Sequence, residues 1–223
     1  PLLLDLSARG YARANALLYW LQLDGCKSSP CNTQIAKEYA KQGYQAGDAI
    51  CALQYALFCC ESKDERIKLC QKYIPHLREL ADSGDVFAEY MMGICRLNET
   101  DEPADYFEAL QLFLDASSKN FYRAFYGIAL RYYRGEGIEK SINTALLWLF
   151  KATDFKEYAT AYNLLGDISV EEFQEYSEGY DLYMHATTLE NGEAYKNLGV
   201  MYNMGWGIAQ DLNKAESYYK RAA

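Results

Sequence analysis

Two histidines and seven cysteines are the residues of this 223-residue chain best suited to nucleophilic or metal chemistry, and their spacing gives that chemistry little to work with. A nucleophile and its base must meet in space, yet only His76 lies near a cysteine in sequence, at Cys70, and His185 stands alone. No CxxC pair is present, so a zinc site is not expected. The carboxylate pairs Asp64-Glu65 and Glu171-Glu172 lack the apolar pocket that would raise one partner for general acid work, and they read as solvated helix ends. Gly135-Glu136-Gly137 and Gly205-Trp206-Gly207 match a phosphate loop in letters only, because no strand precedes either. The expectation is no catalytic residue, no metal and no cofactor.

These residues sit instead in a repeating frame. A small-residue anchor recurs at Ala14, Ala49, Ala88, Ala124, Ala161 and Ala194, in steps of 35, 39, 36, 37 and 33. A second series follows as pairs seven apart: Thr33/Ala40, Ile74/Ala81, Ala109/Ala116, Ala145/Ala152, Gly179/Ala186 and Ala215/Ala222. Such a period is about one helical hairpin. In the first half of each unit, apolar or small residues fall four, five and eight after the anchor, as in Ala194, Leu198, Gly199 and Tyr202, which makes one helical face. The small residues let a second helix come close. The GxG stretches end the first helix, since glycine tolerates the left-handed closing conformation. Asp105, Ser141 and Asp211 stand where a short polar side chain can cap the second.

The last unit carries a family resemblance. Its Ala194, Leu198, Gly199, Tyr202, Gly205, Gly207, Asp211, Lys214, Ala215, Tyr219 and Ala222 resemble the Sel-one-like repeat, a relative of the tetratricopeptide repeat. The fourth unit follows through Ala124, Tyr132, Gly135, Gly137, Ala145, Trp148, Lys151 and Ala152. The resemblance implies an all-α, right-handed superhelical α-solenoid of about six helix-turn-helix repeats. The expected units are 10–43, 44–84, 85–120, 121–157, 158–190 and 191–223, one solenoid over 1–223. The distance from anchor to second-helix signature is 21 in units three, four and six, 19 in unit one, 25 in unit two and 18 in unit five. Unit two is therefore expected to carry an extra helical turn, with Pro75 interrupting its second helix or starting it late. Unit five lacks the glycine loop, reading Ser169-Val170-Glu171-Glu172-Phe173. The chain is expected to continue beyond Ala223, since terminal repeats need a polar outer face.

The balance of 31 acidic against 22 scattered basic residues gives a net charge of −9, which disfavours nucleic acid and anionic lipid and suits a basic or mixed-charge protein partner. The apolar runs are far short of the ~20 residues that span a membrane, so no membrane insertion is expected. Cys51, Cys59, Cys60, Cys70 and Cys95 lie in or beside helices, where cysteine is commonly a small buried hydrophobe. Some secreted members of the family staple hairpins with disulfides, and on that resemblance Cys26 with Cys31, or Cys59 or Cys60 with Cys70, could pair. Oxidised cysteines would place the protein in the periplasm or outside the cell, and free thiols in the cytoplasm.

Function is sought in the variable positions. In tetratricopeptide-like hairpins the first helices line the concave face. Transferred here, that face collects Trp20, Tyr55, Phe58, Phe87, Tyr90, Arg123, Tyr126, Tyr133, Arg134 and Lys196, with Arg13, Cys51, Ile94, Asn163, Asn203 and Met204. Aromatic and arginine side chains dominate it, and these types carry most interface energy. The family implies a non-enzymatic scaffold or adaptor, expected to be bacterial, that binds another protein or peptide in this groove. An immunity-type inhibitor of a secreted bacterial toxin is the alternative, and a hydrolase the third reading. Loss of Tyr90 with Tyr126 is expected to abolish partner capture.

Overall fold

The computed structural model describes residues 2–24, 32–99, 103–155 and 158–222. Among them the regular structure is helix and no strand occurs: α1 (Leu2–Ala8), α2 (Ala12–Asp24), α3 (Thr33–Gln45), α4 (Ala49–Phe58), α5 (Lys63–Asp82), α6 (Val86–Glu99), α7 (Pro103–Ser118), α8 (Tyr122–Arg134), α9 (Ile142–Phe155), α10 (Ala159–Glu171), α11 (Tyr176–Thr187), α12 (Gly192–Met204) and α13 (Leu212–Ala222). The helices form two compact bodies. The N-terminal body comprises α1–α8 and the start of α9 through Ala145, and the C-terminal body begins at Leu146. In the first, each helix from α3 to α8 packs on its neighbour in sequence, and α4 also meets α6; in the second, α10–α13 pack in sequence.

A left-handed residue precedes each of five first helices: Gly10 (φ 86°), Gly47 (φ 87°), Gly84 (φ 89°), Asn120 (φ 59°) and Glu190 (φ 58°). Four residues after each comes a buried small residue, namely Ala14, Cys51, Ala88, Ala124 and Ala194. The anchor of the second repeat is therefore Cys51 and not Ala49. With that change α2, α4, α6, α8, α10 and α12 all begin two residues before their anchors, and the anchor steps become 37, 37, 36, 37 and 33. The same turns move the second-helix pairs of the first two repeats. Ala36/Gly43 replaces Thr33/Ala40, and Tyr73/Leu80 replaces Ile74/Ala81; Ala36 is fully buried while Thr33 is exposed.

The spacing in both repeats is then 22, and the extra turn expected in repeat two is absent. Instead α4 stops after 10 residues at Phe58, and α5 takes up 20. Ser62 caps α5 by accepting from Glu65 N at 3.3 Å, and Pro75 lies inside the helix without interrupting or delaying it. Ser141 and Asp211 cap α9 and α13, accepting from Thr144 N at 3.3 Å and Lys214 N at 3.0 Å. Asp105 does not cap α7. That helix begins at Pro103, leaving Asp105 inside its first turn, where a carboxylate still favours the helix N-terminus.

Within a hairpin, a ring from the second helix lies on a glycine of the first. A Cβ added at Gly93 would stand 2.5 Å from the Phe113 ring, one at Gly166 2.5 Å from Tyr183, and one at Gly199 2.5 Å from Tyr219. Phe113 also lies against Gly127 of the next first helix, where an added Cβ would be 3.0 Å away. Gly135 and Gly205, both at φ 72°, close α8 and α12 as expected. In repeat five, Gln174 (φ 58°) turns the chain at the place of the second glycine, and α11 follows almost at once.

Candidate functional site

The N-terminal body joins four of the expected interface residues. Trp20 of α2 meets Phe58 of α4 edge-on at 5.9 Å and Tyr90 of α6 at 5.8 Å, and the Arg123 guanidinium of α8 stands over its ring at 3.7 Å. Trp20, Tyr90 and Arg123 are buried, each 5% exposed, and Phe58 is 41% exposed. The row thus links successive repeats at its base and shows one ring at its edge. Phe87 stacks edge-on with Phe121 at 5.0 Å, and Tyr126 is half-buried. At the end of α8, Lys140 stands 5.5 Å from the Tyr133 ring, and exposed Arg134 lies 3.6 Å from Glu136.

Tyr55 lies apart from the row. It stacks on Tyr44 of α3 at 5.3 Å, and Tyr44 meets Tyr73 of α5. The register explains this: counted from Cys51, Tyr55 holds the fourth position, which faces the second helices. Arg13 ties three repeats together through Asp48 at 3.0 Å and Asp85 at 2.5 Å, the capping aspartates of α4 and α6. Lys196, in the C-terminal body, is exposed beside Glu193 at 3.4 Å.

The C-terminal body holds a cavity of about 540 Å³, lined by Asp167, Val170, Glu171, Gln174, Tyr176, Tyr183, Asn197, Val200, Met201 and Trp206. Its apolar wall belongs to the core formed by Val170, Tyr183, Ala186, Ala194, Leu198 and Met201. The Gly166 contact lets the Tyr183 ring lie flat on α10, so its hydroxyl reaches the next residue and donates to Asp167 Oδ1 at 2.9 Å. Asn197 Nδ2 donates to the same oxygen at 2.8 Å and to Asn163 Oδ1 at 3.1 Å, while Asn163 Nδ2 donates to Asp167 Oδ2 at 3.2 Å. Tyr176 and Trp206 face each other at the rim, 5.6 Å apart. Of this site only Asn163 was expected from the sequence. The missed signal is the sixth position after each anchor. It reads Trp20, Leu57, Ile94, Leu130 and Val200 in five repeats and Asp167 in the fifth.

Burial, with Glu171 and Glu193 nearby, pushes the Asp167 carboxyl up to about 6 against the opposing Tyr183 and Asn197 hydrogen bonds. The folded chain therefore holds this proton more tightly than the unfolded chain, where the group titrates near 3.8. Its stabilising contribution is complete below the unfolded value and is lost as pH rises through about 6. The urea midpoint of the native protein is expected to fall between about pH 4 and pH 7 relative to that of Asp167→Asn. A pH-independent difference between the two curves would exclude this role.

The remaining candidates read as packing. His185 lies against Tyr162 at 4.1 Å, and His76 is exposed beside Glu79 at 3.3 Å. No disulfide is recorded at Cys59, Cys60 or Cys70. Cys60 hydrogen-bonds Ser62 O and Glu65, while Cys70 sits two turns into α5, roughly 10 Å along its axis. Cys26 and Cys31 lie outside the described residues. Among the described residues no group of three His, Cys, Asp or Glu is arranged to hold a metal, and no helix is long and apolar enough to cross a membrane.

Helical hairpins stacked on glycine-seated rings, turned by GxG loops and carrying variable side chains on their first helices, define a repeat scaffold. Residues 86–121, 123–154 and 192–223 match the Sel1 repeat. These are the third, fourth and sixth hairpins, the three whose spacing is 21. A Sel1 repeat protein from Oxalobacter formigenes is similar in structure at 21% identity, with a TM-score of 0.56, over 95% of this chain and 86% of that one. A protective antigen of uropathogenic Escherichia coli strains that displays an SLR fold is similar at 19% identity and TM-score 0.51, over 99% of this chain and 47% of that one. This chain thus spans about half of that antigen's. No curated protein matches the chain in sequence. Sel1 repeat proteins are generally protein-interaction scaffolds, and the fold is typically non-enzymatic.

Proposed function

We propose that the chain is a non-enzymatic scaffold that holds another protein, or an extended peptide from it, on the first-helix side of the N-terminal body. The observation that supports this most is the row from Trp20 to Arg123. Its buried base fixes the spacing of four first helices, while Phe58 at 41% exposure stands at its edge and half-buried Phe87 and Tyr126 lie on the same helices α6 and α8. Rigid aromatic groups partly exposed on a fixed frame bind with small entropic cost. The buried residues hold the row and the half-exposed ones touch the partner.

Tyr90 is a poor probe of this surface, because its ring packs on Trp20, Phe113 and Phe121 and its loss disturbs the fold. Phe58→Ala combined with Tyr126→Ala tests it. In affinity capture read by mass spectrometry, proteins enriched by the native chain are expected to fall at least about tenfold with the double variant, at a nearly unchanged melting temperature. Undiminished capture would remove this face from the function.

A further inference from the structure

We propose that the cavity of the C-terminal body is a receptor for an arginine side chain of a protein partner. The inference rests on the scaffold reading but uses a different site, one built by repeats five and six alone.

The first argument is positional. The sixth residue after the anchor is apolar in five repeats, and only repeat five places a carboxylate there. A charge at a packing position costs stability unless something compensates it. Here the compensation is a set of neutral donors. Tyr183 and Asn197 occupy Oδ1, and Asn163 occupies one side of Oδ2. Among the described residues no lysine or arginine pairs with Asp167. The network therefore orients an anion and leaves its charge unneutralised.

The second argument counts acceptors. The Asn197 Nδ2 group donates to Asp167 and Asn163, which leaves the Oδ1 acceptor as its remaining polar atom. Asp167 Oδ2 carries one donor and has room for another. Two acceptors on one wall suit a donor that forks. The opposite boundary is aromatic, Tyr176 and Trp206, and Trp206 is 36% exposed at the mouth. Between them Val170, Val200 and Met201 form an apolar passage. A planar guanidinium on an aliphatic stem meets all three demands: paired donors for the wall, a face for the rings and methylenes for the passage.

The third argument is the field outside. A second groove of about 600 Å³ shares Tyr176 and is lined by Glu175, Glu178 and Asp181. The neighbouring Glu175 carboxyl, with partial burial, holds a proton on Glu178 more firmly than usual. Carboxylates crowded in this way attract cations toward the mouth.

The test uses the full chain and Nα-acetyl-arginine amide, followed through the Trp206 indole N–H and the Asn197 side-chain amide in 15N-resolved spectra. Saturable shifts at both groups are expected, with Nα-acetyl-lysine amide about tenfold weaker and the neutral citrulline analogue inert. Asp167→Asn should weaken arginine binding about tenfold or more. Trp206→Ala, at an exposed rim position, should weaken it without touching the network. The exposed Asp82→Asn in the other body should change nothing. Equal binding of lysine, binding of citrulline, or loss with Asp82→Asn to the same extent would each overturn the proposal. Partner capture that survives Asp167→Asn but fails with Phe58→Ala and Tyr126→Ala would refute this pocket as a partner site and leave the scaffold reading standing. Arginine binding without any capture would remove the scaffold reading, and with it the protein partner, and leave the pocket as a receptor for arginine alone.

Discussion

Phe113→Ala is expected to lower the stability of the N-terminal body by about 3–5 kcal/mol, enough to unfold much of it. The ring is fully buried and lies against Gly93 of its own hairpin and Gly127 of the next, with Tyr90 at 5.5 Å on its other side. Removing it leaves a cavity bounded by two glycines. Neither has a side chain that could swing into the space, so relaxation is limited to moving whole helices. Phe113→Leu keeps most of the volume and should cost nearer to about 1 kcal/mol. Urea unfolding with a constant slope would read both. Equal small losses would show that the hairpins are held by their other contacts and that the ring is incidental.

The same glycines show why much of the fold was legible. A hairpin needs a small residue where two axes meet and a ring to fill the groove, and both leave marks 20 residues apart in Gly93 with Phe113 and Gly199 with Tyr219, and 17 apart in Gly166 with Tyr183, where the hairpin loop is shorter. Repeat two hid its register because cysteine replaces alanine at the anchor and an unrelated alanine stands two residues before it. Two residues rotate a helical position by about 200°. That rotation accounts for Tyr55, expected with the first-helix face and found stacked on Tyr44. The turn series would have corrected it. Gly10, Gly47 and Gly84 are spaced 37 apart and sit where the backbone is left-handed, whereas Asn120 and Glu190 do the same work without a glycine to mark them.

The candidate sites were legible to different degrees for a related reason. Aromatic and arginine residues were visible as residue types, but a first-helix side chain can point to a partner or to the neighbouring repeat. Only burial separates Trp20, Tyr90 and Arg123 from Phe58. Asp167 was hidden differently. Its meaning lies in contrast with the equivalent residues of other repeats and in a hydroxyl from α11, and that hydroxyl reaches it only because Gly166 has no side chain.

Gly137→Ala is expected to cost about 2–4 kcal/mol, well beyond the ordinary penalty of placing alanine at a left-handed position. Its φ is 73°, and an added Cβ would stand 2.7 Å from both Phe107 N and Tyr106 Cβ, at the first turns of α7. Backbone cannot swing aside as a side-chain tip can. Gly47→Ala is the matched control, since its φ is 87° and nothing lies within 4 Å of the added atom, so only the conformational cost of about 1 kcal/mol remains. The difference between the two variants in denaturant midpoint isolates the contact of one repeat's loop on the preceding repeat's second helix. Gly207 repeats that contact in the C-terminal body, where an added Cβ would meet Tyr176 at 2.7 Å. The second glycine of each GxG loop is therefore a seat for a neighbouring helix, and a loop whose glycine is spent in this way has no hydrogen-bonding concavity left to offer a phosphate. Equal costs for Gly137→Ala and Gly47→Ala would show that the loop turns freely and that the hairpins do not lean on it.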